Sequence, residues 1–412
     1  MDKELFTYPF CYRPHPDIVR AADDLIARIG SREELHTLFA EGKMLGVMKT
    51  DGGFLYGFSG LAGGRAVVEG FVPPIFDSTS VDIDSGSAEE SQRLQRWLFS
   101  QYVVQNGLGE KRSILDIFAD RGLVPPGGTG ECAGPKMLQE AYRRGLKPLA
   151  MGEFWYGASP LREVRRQGCF YPSCTGKCGP LLTWMMKGLE VEPNPLDDDH
   201  LWDMEDPVIK FEDRSIVVVE KPAGMLAVPG RTPRISLLEW LEKQCGCPVY
   251  PCHRLDMDTS GLMVFAKTME CQSAIQRQFE ERSVSKWYMA VVDASTAPAA
   301  RCGKISLPLF PDWYDRPRQM VDFEQGRPAV TDYEIIKDYD DGRSLVKLIP
   351  YTGRTHQLRV HCAHQNGLGR PICGDRLYGG SALSSRLMLH ACHLAFRHPV
   401  TGERMRFETE IF

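Results

Sequence analysis

The residues with the clearest chemical potential lie together at 253–262, in the run HRLDMDTSGL. This run combines an imidazole, a guanidinium and two carboxylates with the start of an apolar segment at 261–266 that is typical of a buried strand. A carboxylate in such a place can act as a nucleophile or stabilise positive charge in a transition state. A single aspartate beside a strand is more often a cap or a surface group, so residue type alone does not assign a role to Asp256.

Further motifs occur in a fixed order along the second half of the chain. They are VEKPAG at 219–224, KWYMAV at 286–291, TGRTHQLRVH at 352–361, GDRLYG at 374–379 and LHA at 389–391. Together with HRLD at 253–256, this set closely resembles the catalytic domain of RluA-type RNA pseudouridine synthases.

The resemblance implies a specific chemistry. Enzymes of this family break the N-glycosidic bond of a uridine in RNA, turn the uracil and form a carbon–carbon bond at C5. The resemblance implies Asp256 as the catalytic carboxylate and Tyr288 as an aromatic face for the uracil, with a phenol that can transfer protons. It also implies a guanidinium that keeps the carboxylate ionised, with Arg354 as first candidate and Arg359 as second. The reaction has no redox step and no net hydrolysis, so no cofactor is expected for catalysis.

Four residues are predicted to bind RNA, namely Arg254, His253, Arg359 and Lys221. A uridine in folded RNA is accessible only after its nucleotide leaves the stack. The resemblance implies that Arg254 fills the vacated space with its planar guanidinium. A structural ion pair is an equal alternative for Arg359 and for Asp375. The RNA is expected to be ribosomal or transfer RNA.

A separate group of candidate ligands lies in the first half of the chain, the set Cys132, Cys169, Cys174 and Cys178. Four thiolates among Gly- and Pro-containing turns suit a structural zinc ion. The C-x4-C-x3-C spacing is not that of a standard zinc knuckle, so unligated cysteines in a packed core are the alternative. A glutamate beside Cys132 also distantly resembles zinc deaminases, although their H-x-E and P-C-x-x-C motifs are absent.

Composition sets few limits on function. The formal net charge is −5, and the excess of acid lies before residue 200. Phosphate binding needs a local basic surface, so this charge neither supports nor excludes RNA. No apolar run approaches the ~20 residues of a membrane helix, and the start does not have the pattern of a signal peptide. We therefore expect a cytoplasmic monomer whose 13 cysteines are mostly reduced.

Two domains are predicted, at 1–195 and 196–412, because 412 residues are many for a single domain. Residues 190–207 are rich in proline and acidic residues, a composition that predicts a linker. The second domain is expected to be α+β with a mixed or antiparallel sheet. The first is expected to be a separate α+β module that positions RNA or binds metal.

Local patterns beyond the linker predict the elements that position the motifs. Apolar runs at 215–220 and 261–266 predict strands, and apolar spacing at 236–244 and 269–282 predicts helices. Residues 331–339 and 344–351 predict a hairpin across Asp341-Gly342. The many strands with few interposed helices favour the α+β class.

The leading interpretation is an RNA pseudouridine synthase. One alternative is an RNA-binding protein that keeps the fold without catalysis. The presence of Asp256, Tyr288 and Arg354 together favours an active enzyme over this alternative. The other is a bifunctional enzyme with zinc or deaminase-like chemistry in the first domain, which requires zinc near one per chain.

Overall fold

The computed structural model describes residues 5–76, 88–194, 206–230, 234–295, 300–313, 315–379 and 384–412. The chain forms two compact units. Unit 1 consists of Met1–Leu161, Arg165–Asn194 and Pro311–Arg318, and unit 2 consists of Arg162–Val164, Pro195–Phe310 and Gln319–Phe412. Pro311–Arg318 thus belongs to unit 1 although it comes from the second half of the chain, and Arg162–Val164 belongs to unit 2 although it comes from the first half. The sequence analysis did not predict this exchange. Most of the predicted linker, residues 195–205, lies outside the described ranges, so the predicted boundary stays a prediction.

Before residue 195, the described part of the chain contains six helices and six strands. They are α1 Pro16–Gly30, α2 Glu33–Phe39, β1 Lys43–Thr50, β2 Gly53–Phe58, α3 Ala88–Gln101, β3 Val103–Gln105, β4 Lys111–Ser113, α4 Ile114–Ala119, α5 Ala133–Arg143, β5 Pro148–Tyr156, β6 Phe170–Tyr171 and α6 Cys178–Met185.

The main sheet of unit 1 has the strand order β2-β1-β5-β6, and all its neighbours are antiparallel. Gly46 of β1 and Gly57 of β2 are register partners beneath α5. A Cβ atom at Gly46 would lie 2.5 Å from Met137 and 2.9 Å from Ala133, so glycine is needed for the close approach of this helix. This contact fixes the start of α5, directly after Cys132.

Beyond residue 205 the described part of the chain contains three helices and many strands. They are β7 Val208–Glu212, β8 Ile216–Lys221, α7 Leu237–Cys245, β9 Tyr250–Pro251, β10 Ser260–Ala266, α8 Met269–Glu280, β11 Ser285–Asp293, β12 Cys302–Ser306, β13 Leu309–Pro311, β14 Gln319–Val321, β15 Val330–Asp338, β16 Arg343–Pro350, α9 Gln357–Ala363, β17 Leu389–Arg397 and β18 Arg404–Glu408.

One large mixed sheet dominates unit 2. Its strand order is β12-β15-β16-β11-β17-β10-β8-β7, with β18 beside β17 and β9 beside β10. The pair β10–β17 is parallel, and the other pairs are antiparallel. Every residue of β10 is buried, as expected for a strand covered on both faces. The predicted α+β class with a mixed sheet is therefore confirmed.

The predicted elements of unit 2 form with small shifts at their ends. Ser236 caps α7, and its hydroxyl accepts from the N–H of Glu239 while the Glu239 carboxylate accepts from the N–H of Ser236. The predicted hairpin is β15–β16, in which Gly342 has a φ of +80°. Among the described residues, no helix is both long and apolar enough to cross a membrane.

Candidate active site

The motif at 253–262 forms the loop that enters β10. The N–H of Thr259 donates to the carbonyl of Asp256 at 3.1 Å, and the N–H of Gly224 donates to the carbonyl of Met257 at 2.9 Å. The second bond ties this loop to the turn after β8, the strand that pairs with β10. Backbone hydrogen bonds therefore fix the segment that carries Asp256.

Lys221, the last residue of β8, fastens the same loop from the interior. Its ammonium donates to the carbonyls of Pro222, Met225 and Met257, each at 2.8 Å, and the side chain is fully buried. Burial lowers the pKa of Lys221 to about 7, although two nearby aspartates act in the opposite direction. Three carbonyl acceptors satisfy all three donors of the ammonium. This arrangement favours a structural role, and the predicted RNA contact of Lys221 stays a prediction.

Gly261 allows β17 to approach the start of β10. It pairs with Ala391 in the parallel ladder and has a φ of +116°. A Cβ atom at this position would lie 2.4 Å from the carbonyl oxygen of Ala391. Only glycine fits such a close backbone approach with a positive φ, so this motif residue sets the spacing of the two central strands.

A small pocket lies in front of Asp256. It has a volume of about 120 Å³. Its lining includes Arg254, Asp256, Lys286, Tyr288, Arg354 and Arg359. Residues from β11, from the loop before β10 and from the region around α9 therefore converge on one cavity.

The Asp256 carboxylate lines this pocket and is partly buried. Its side chain is 20% exposed, and its Oδ2 atom is 3.9 Å from Nη1 of Arg359. Burial raises the pKa of Asp256 above its usual value, and the positive charges of Arg359 and Arg254 oppose that rise. The two guanidinium groups therefore favour the ionised carboxylate in a place where burial disfavours it.

Arg359 is held by a second aspartate. Its Nε and Nη2 atoms donate to the two carboxylate oxygens of Asp375, both at 2.8 Å, and both side chains are almost fully buried. The Asp375 carboxylate also accepts from the N–H groups of Leu377 and Tyr378. This bidentate pair leaves the Nη1 atom of Arg359 directed at Asp256. The structural ion pair that the sequence left open is present.

A further ion pair braces the loop. Nη2 of Arg376 lies 3.2 Å from Oδ2 of Asp258. Although burial alone would raise it, the guanidinium groups of Arg376 and Arg359 hold the pKa of Asp258 below its usual value. Asp258 is therefore an ionised anchor of the loop that carries Asp256.

Tyr288 supplies the aromatic wall of the pocket. It lies on β11 opposite Leu348 of β16 and contacts two apolar clusters of unit 2. Burial, together with the negative charge of Asp256, raises the pKa of the Tyr288 phenol. The phenol therefore stays protonated near a carboxylate.

This geometry agrees with the comparisons with known proteins. Residues 215–364 match the family model described as RNA pseudouridylate synthase. The chain is 44% identical over 206 residues to the dual-specificity RNA pseudouridine synthase RluA of Pasteurella multocida, an alignment that covers 90% of that protein and 48% of this chain. With the protein of the same description from Escherichia coli, identity is 42% over 210 residues, and coverage is 91% and 49%.

The chain belongs to the RluA family of RNA pseudouridine synthases. The predicted family and enzyme class are thus confirmed. The alignments span about half of this RluA-type chain. Among solved structures, human RNA pseudouridylate synthase domain containing 1 is similar at 29% identity, with a TM-score of 0.42, over 53% of this chain and 86% of that one. Human RNA pseudouridylate synthase domain containing 4 has 26% identity and a TM-score of 0.40, with coverage of 50% and 88%.

The two candidate guanidinium groups of the RluA-type site occupy different positions. Arg354 lines the pocket, but its Nε donates to the carbonyl of Pro328 at 3.2 Å. Within the described residues, the guanidinium that forms an ion pair with Asp256 within 4 Å is that of Arg359. The geometry favours Arg359, the second candidate, and the predicted role of Arg354 stays a prediction.

Gln357 organises the loop before α9, and the sequence did not single it out. Its carbonyl oxygen accepts from the Thr352 hydroxyl at 2.7 Å and from the N–H of Arg354 at 3.1 Å. Its amide donates to the carbonyl of Val330 and to the Thr331 hydroxyl. The only signal in the sequence was the place of Gln357 inside the motif at 352–361; its burial is visible in the structure alone.

His253 packs in the interior, whereas its neighbour Arg254 is exposed. The His253 ring lies 4.7 Å from the ring of Phe279, and its Nε2 accepts from the N–H of Val264. Burial, with a smaller contribution from the charge of Lys286, lowers the pKa of His253 to about 3. These contacts favour a neutral, structural imidazole, so RNA binding by His253 stays a prediction. Arg254 lines the pocket and is exposed, and its predicted contact with RNA stays a prediction.

Three of the four predicted zinc ligands come together in unit 1. The thiols of Cys132, Cys174 and Cys178 hydrogen-bond to one another. Cys169 lies beside Tyr171 and precedes β6. Over the part of the chain that the structure describes, no group of three or more His, Cys, Asp or Glu side chains has the arrangement of a metal site. The four-thiolate zinc site stays a prediction.

Proposed function

We propose that this chain converts uridine to pseudouridine in RNA and that Asp256 is the catalytic carboxylate. The observation that carries the proposal is the position of Asp256 at the pocket, 3.9 Å from Arg359. A carboxylate kept ionised in a partly buried site can attack an anomeric carbon or stabilise its positive charge. Membership of the RluA family supports the same assignment.

The neighbouring side chains fit a reaction without a cofactor. Tyr288 offers an aromatic face against which a uracil can lie and a protonated phenol close to Asp256. Breaking the N-glycosidic bond and forming the bond to C5 leaves the oxidation state unchanged. The proton released from C5 goes to solvent or to a base in the pocket, and N1, freed from the sugar, takes up a proton, so the isomerisation balances. Carboxylate, guanidinium and phenol therefore supply the groups that the isomerisation needs.

Arg254 is proposed to stabilise the everted nucleotide. Its exposed guanidinium at the pocket mouth can stack where the target uridine has left the helix. Lys286, which also lines the pocket, donates to the carbonyl of Pro350 and is partly buried. Because the Lys286 ammonium already donates to a carbonyl group and Arg254 is exposed, Arg254 is the principal candidate for RNA contact.

The substrate is proposed to be ribosomal RNA, transfer RNA or both. The relatives described as dual-specificity enzymes support more than one RNA target. The enzyme is proposed to act as a monomer in the cytoplasm.

Tritium release from RNA labelled at C5 of uridine tests the proposal. Purified wild type and Asp256→Asn would be compared on ribosomal and transfer RNA from cells that lack the gene. Asp256→Asn keeps the shape and removes the charge, so we expect release by wild type and a loss of at least about a thousandfold in the variant.

Asp341→Asn is the matched control, since it makes the same change in an exposed turn that does not line the pocket. Equal release by wild type and Asp256→Asn would show that the carboxylate is misassigned. No release by folded wild type on either RNA would favour the alternative of an RNA-binding protein that keeps the fold without catalysis.

A further inference from the structure

The chain between β13 and β14 exposes an aromatic ring and a guanidinium side by side. This β13–β14 connection, of which residues 312, 313 and 315–318 are described, belongs to unit 1. Trp313 is 60% exposed, and Arg316 is exposed as well. The guanidinium carbon of Arg316 lies 4.1 Å from the centre of the Trp313 ring. A cation–π contact therefore keeps the two groups together at the surface.

The acidic side chains of the same connection point to the interior. Asp312 is 7% exposed, and the side chain of Asp315 is 14% exposed. The Oδ2 atom of Asp315 lies 3.5 Å from Nη2 of Arg165 and 3.4 Å from Nε of Arg318. Two buried guanidinium groups thus balance the Asp315 carboxylate. Among the described residues of the connection, Arg316 is the charged side chain that is exposed.

Residues from the first half of the chain hold the connection in place. The ring centre of Tyr171 lies 4.8 Å from the guanidinium carbon of Arg165 and 5.4 Å from that of Arg318. The Thr175 hydroxyl donates to the carbonyl of Arg316 at 3.2 Å. The backbone that carries the exposed pair is therefore fixed before any ligand binds. A surface that is ordered in advance loses less conformational entropy on binding.

The chain leads from this connection directly to a wall of the synthase pocket. Gln319, the first residue of β14, follows the connection, and its N–H donates to the Tyr378 hydroxyl at 2.7 Å. The Tyr378 ring centre lies 5.3 Å from the guanidinium carbon of Arg359, which lines the pocket. Only a few residues of chain therefore separate the exposed pair from a residue that supports the pocket.

We propose that Trp313 and Arg316 bind unpaired nucleotides of the RNA substrate. The exposed indole offers a face on which a base stacks, and such stacking tolerates any sequence because every base has a π face. The Arg316 guanidinium contacts a phosphate, and the inward position of the two aspartates leaves that phosphate without a facing carboxylate from the described connection. The proposal rests on the proposed function in taking RNA as the ligand.

Binding of fluorescein-labelled oligouridylate to the full chain, followed by anisotropy at several salt concentrations, tests the proposal. Trp313→Ala should raise the Kd by at least about fivefold, because a stacking platform is lost. Arg316→Ala should also raise the Kd, and the slope of log Kd against log salt should fall by about 0.7, the contribution of one phosphate contact on a single strand. Trp97→Ala and Arg121→Ala make the same changes at other exposed positions of unit 1 and should leave the Kd unchanged.

A conservative variant separates the loss of stacking from a loss of folding. Trp313→Phe keeps a smaller aromatic face, so its Kd should lie between those of wild type and Trp313→Ala. Asp256→Asn should bind oligouridylate as wild type does, so absence of tritium release with intact binding counts against the synthase proposal alone. No binding by folded wild type, an unchanged Kd in Trp313→Ala and Arg316→Ala, or an equal loss in the two control variants would each overturn the present proposal.

Discussion

Replacement of Arg359 by methionine is the sharpest test of the site. Arg359 is 4% exposed and Asp375 is fully buried, and two hydrogen bonds of 2.8 Å join them. Removing one partner of a buried ion pair costs about 3–5 kcal/mol because the other charge is left unpaired. Two backbone N–H groups still donate to Asp375, so we expect the free energy of unfolding in urea to fall by about 3 kcal/mol, the lower end of that range.

The same variant should alter the pH dependence of activity. Unit charges 3.9 Å apart attract by about 4 kcal/mol at an effective dielectric constant of about 20. Without Arg359 this attraction no longer opposes burial, so the pKa of Asp256 rises further. Because the carboxylate acts in its ionised form, the acid limb of the kcat/KM profile should move to higher pH. Activity should approach that of wild type as pH increases.

Two further variants separate stability from chemistry. Adding Asp375→Asn to Arg359→Met removes the unpaired charge, so stability should partly recover while the acid limb stays displaced. Arg301→Met breaks an exposed ion pair with Asp338 and should change neither quantity appreciably. An acid limb of Arg359→Met that coincides with that of wild type would refute the electrostatic role, and unchanged stability would refute the buried pair.

Two other replacements have distinct expected results. Gly261→Ala places a Cβ atom 2.4 Å from the carbonyl oxygen of Ala391, so we expect the free energy of unfolding in urea to fall by more than about 2 kcal/mol. Gly402→Ala, which has open space around it, should lose less stability. Equal losses in the two variants would contradict the close approach of the strands at Gly261. Arg254→Ala removes an exposed side chain, so the melting temperature should stay within a few degrees of that of wild type. On folded RNA, kcat/KM should fall roughly tenfold or more, because the guanidinium no longer stacks in the space that the target uridine leaves. An equal fall on a single-stranded substrate would contradict this proposed role of Arg254.

The motifs predicted which residue types meet at the site but not every contact among them. Asp256 and Tyr288 line one pocket, as the resemblance implied. The choice between Arg354 and Arg359 depends on where α9 begins, since Arg354 precedes that helix and Arg359 lies inside it. The sequence did not show that start, because His356 enters the helix from a left-handed conformation with a φ of +52°.

The sequence did not predict which individual motif residues are buried. Lys221 follows an apolar strand at a Pro-Gly turn, where a lysine is ordinarily exposed, yet three carbonyl groups enclose its ammonium. Those acceptors come from positions 222, 225 and 257, and the last is distant in sequence. The meeting of Cys132 with Cys174 and Cys178 depends in the same way on the packing of α5 and α6, which no local spacing encodes.

The exchange of short segments between the two units bears on how the chain can be divided. Val164 is buried in the core of unit 2, and the carbonyl of Arg162 accepts from the N–H of Val321 at 2.8 Å. A cut near residue 195 would therefore remove an apolar side chain and a backbone acceptor from the synthase unit. Loss of activity in such a truncated chain would reflect incomplete folding before it reflected lost RNA selection. Residues Arg162–Val164 thus belong to the synthase unit, so no single cut in the chain separates the two units as recombination at one junction would require.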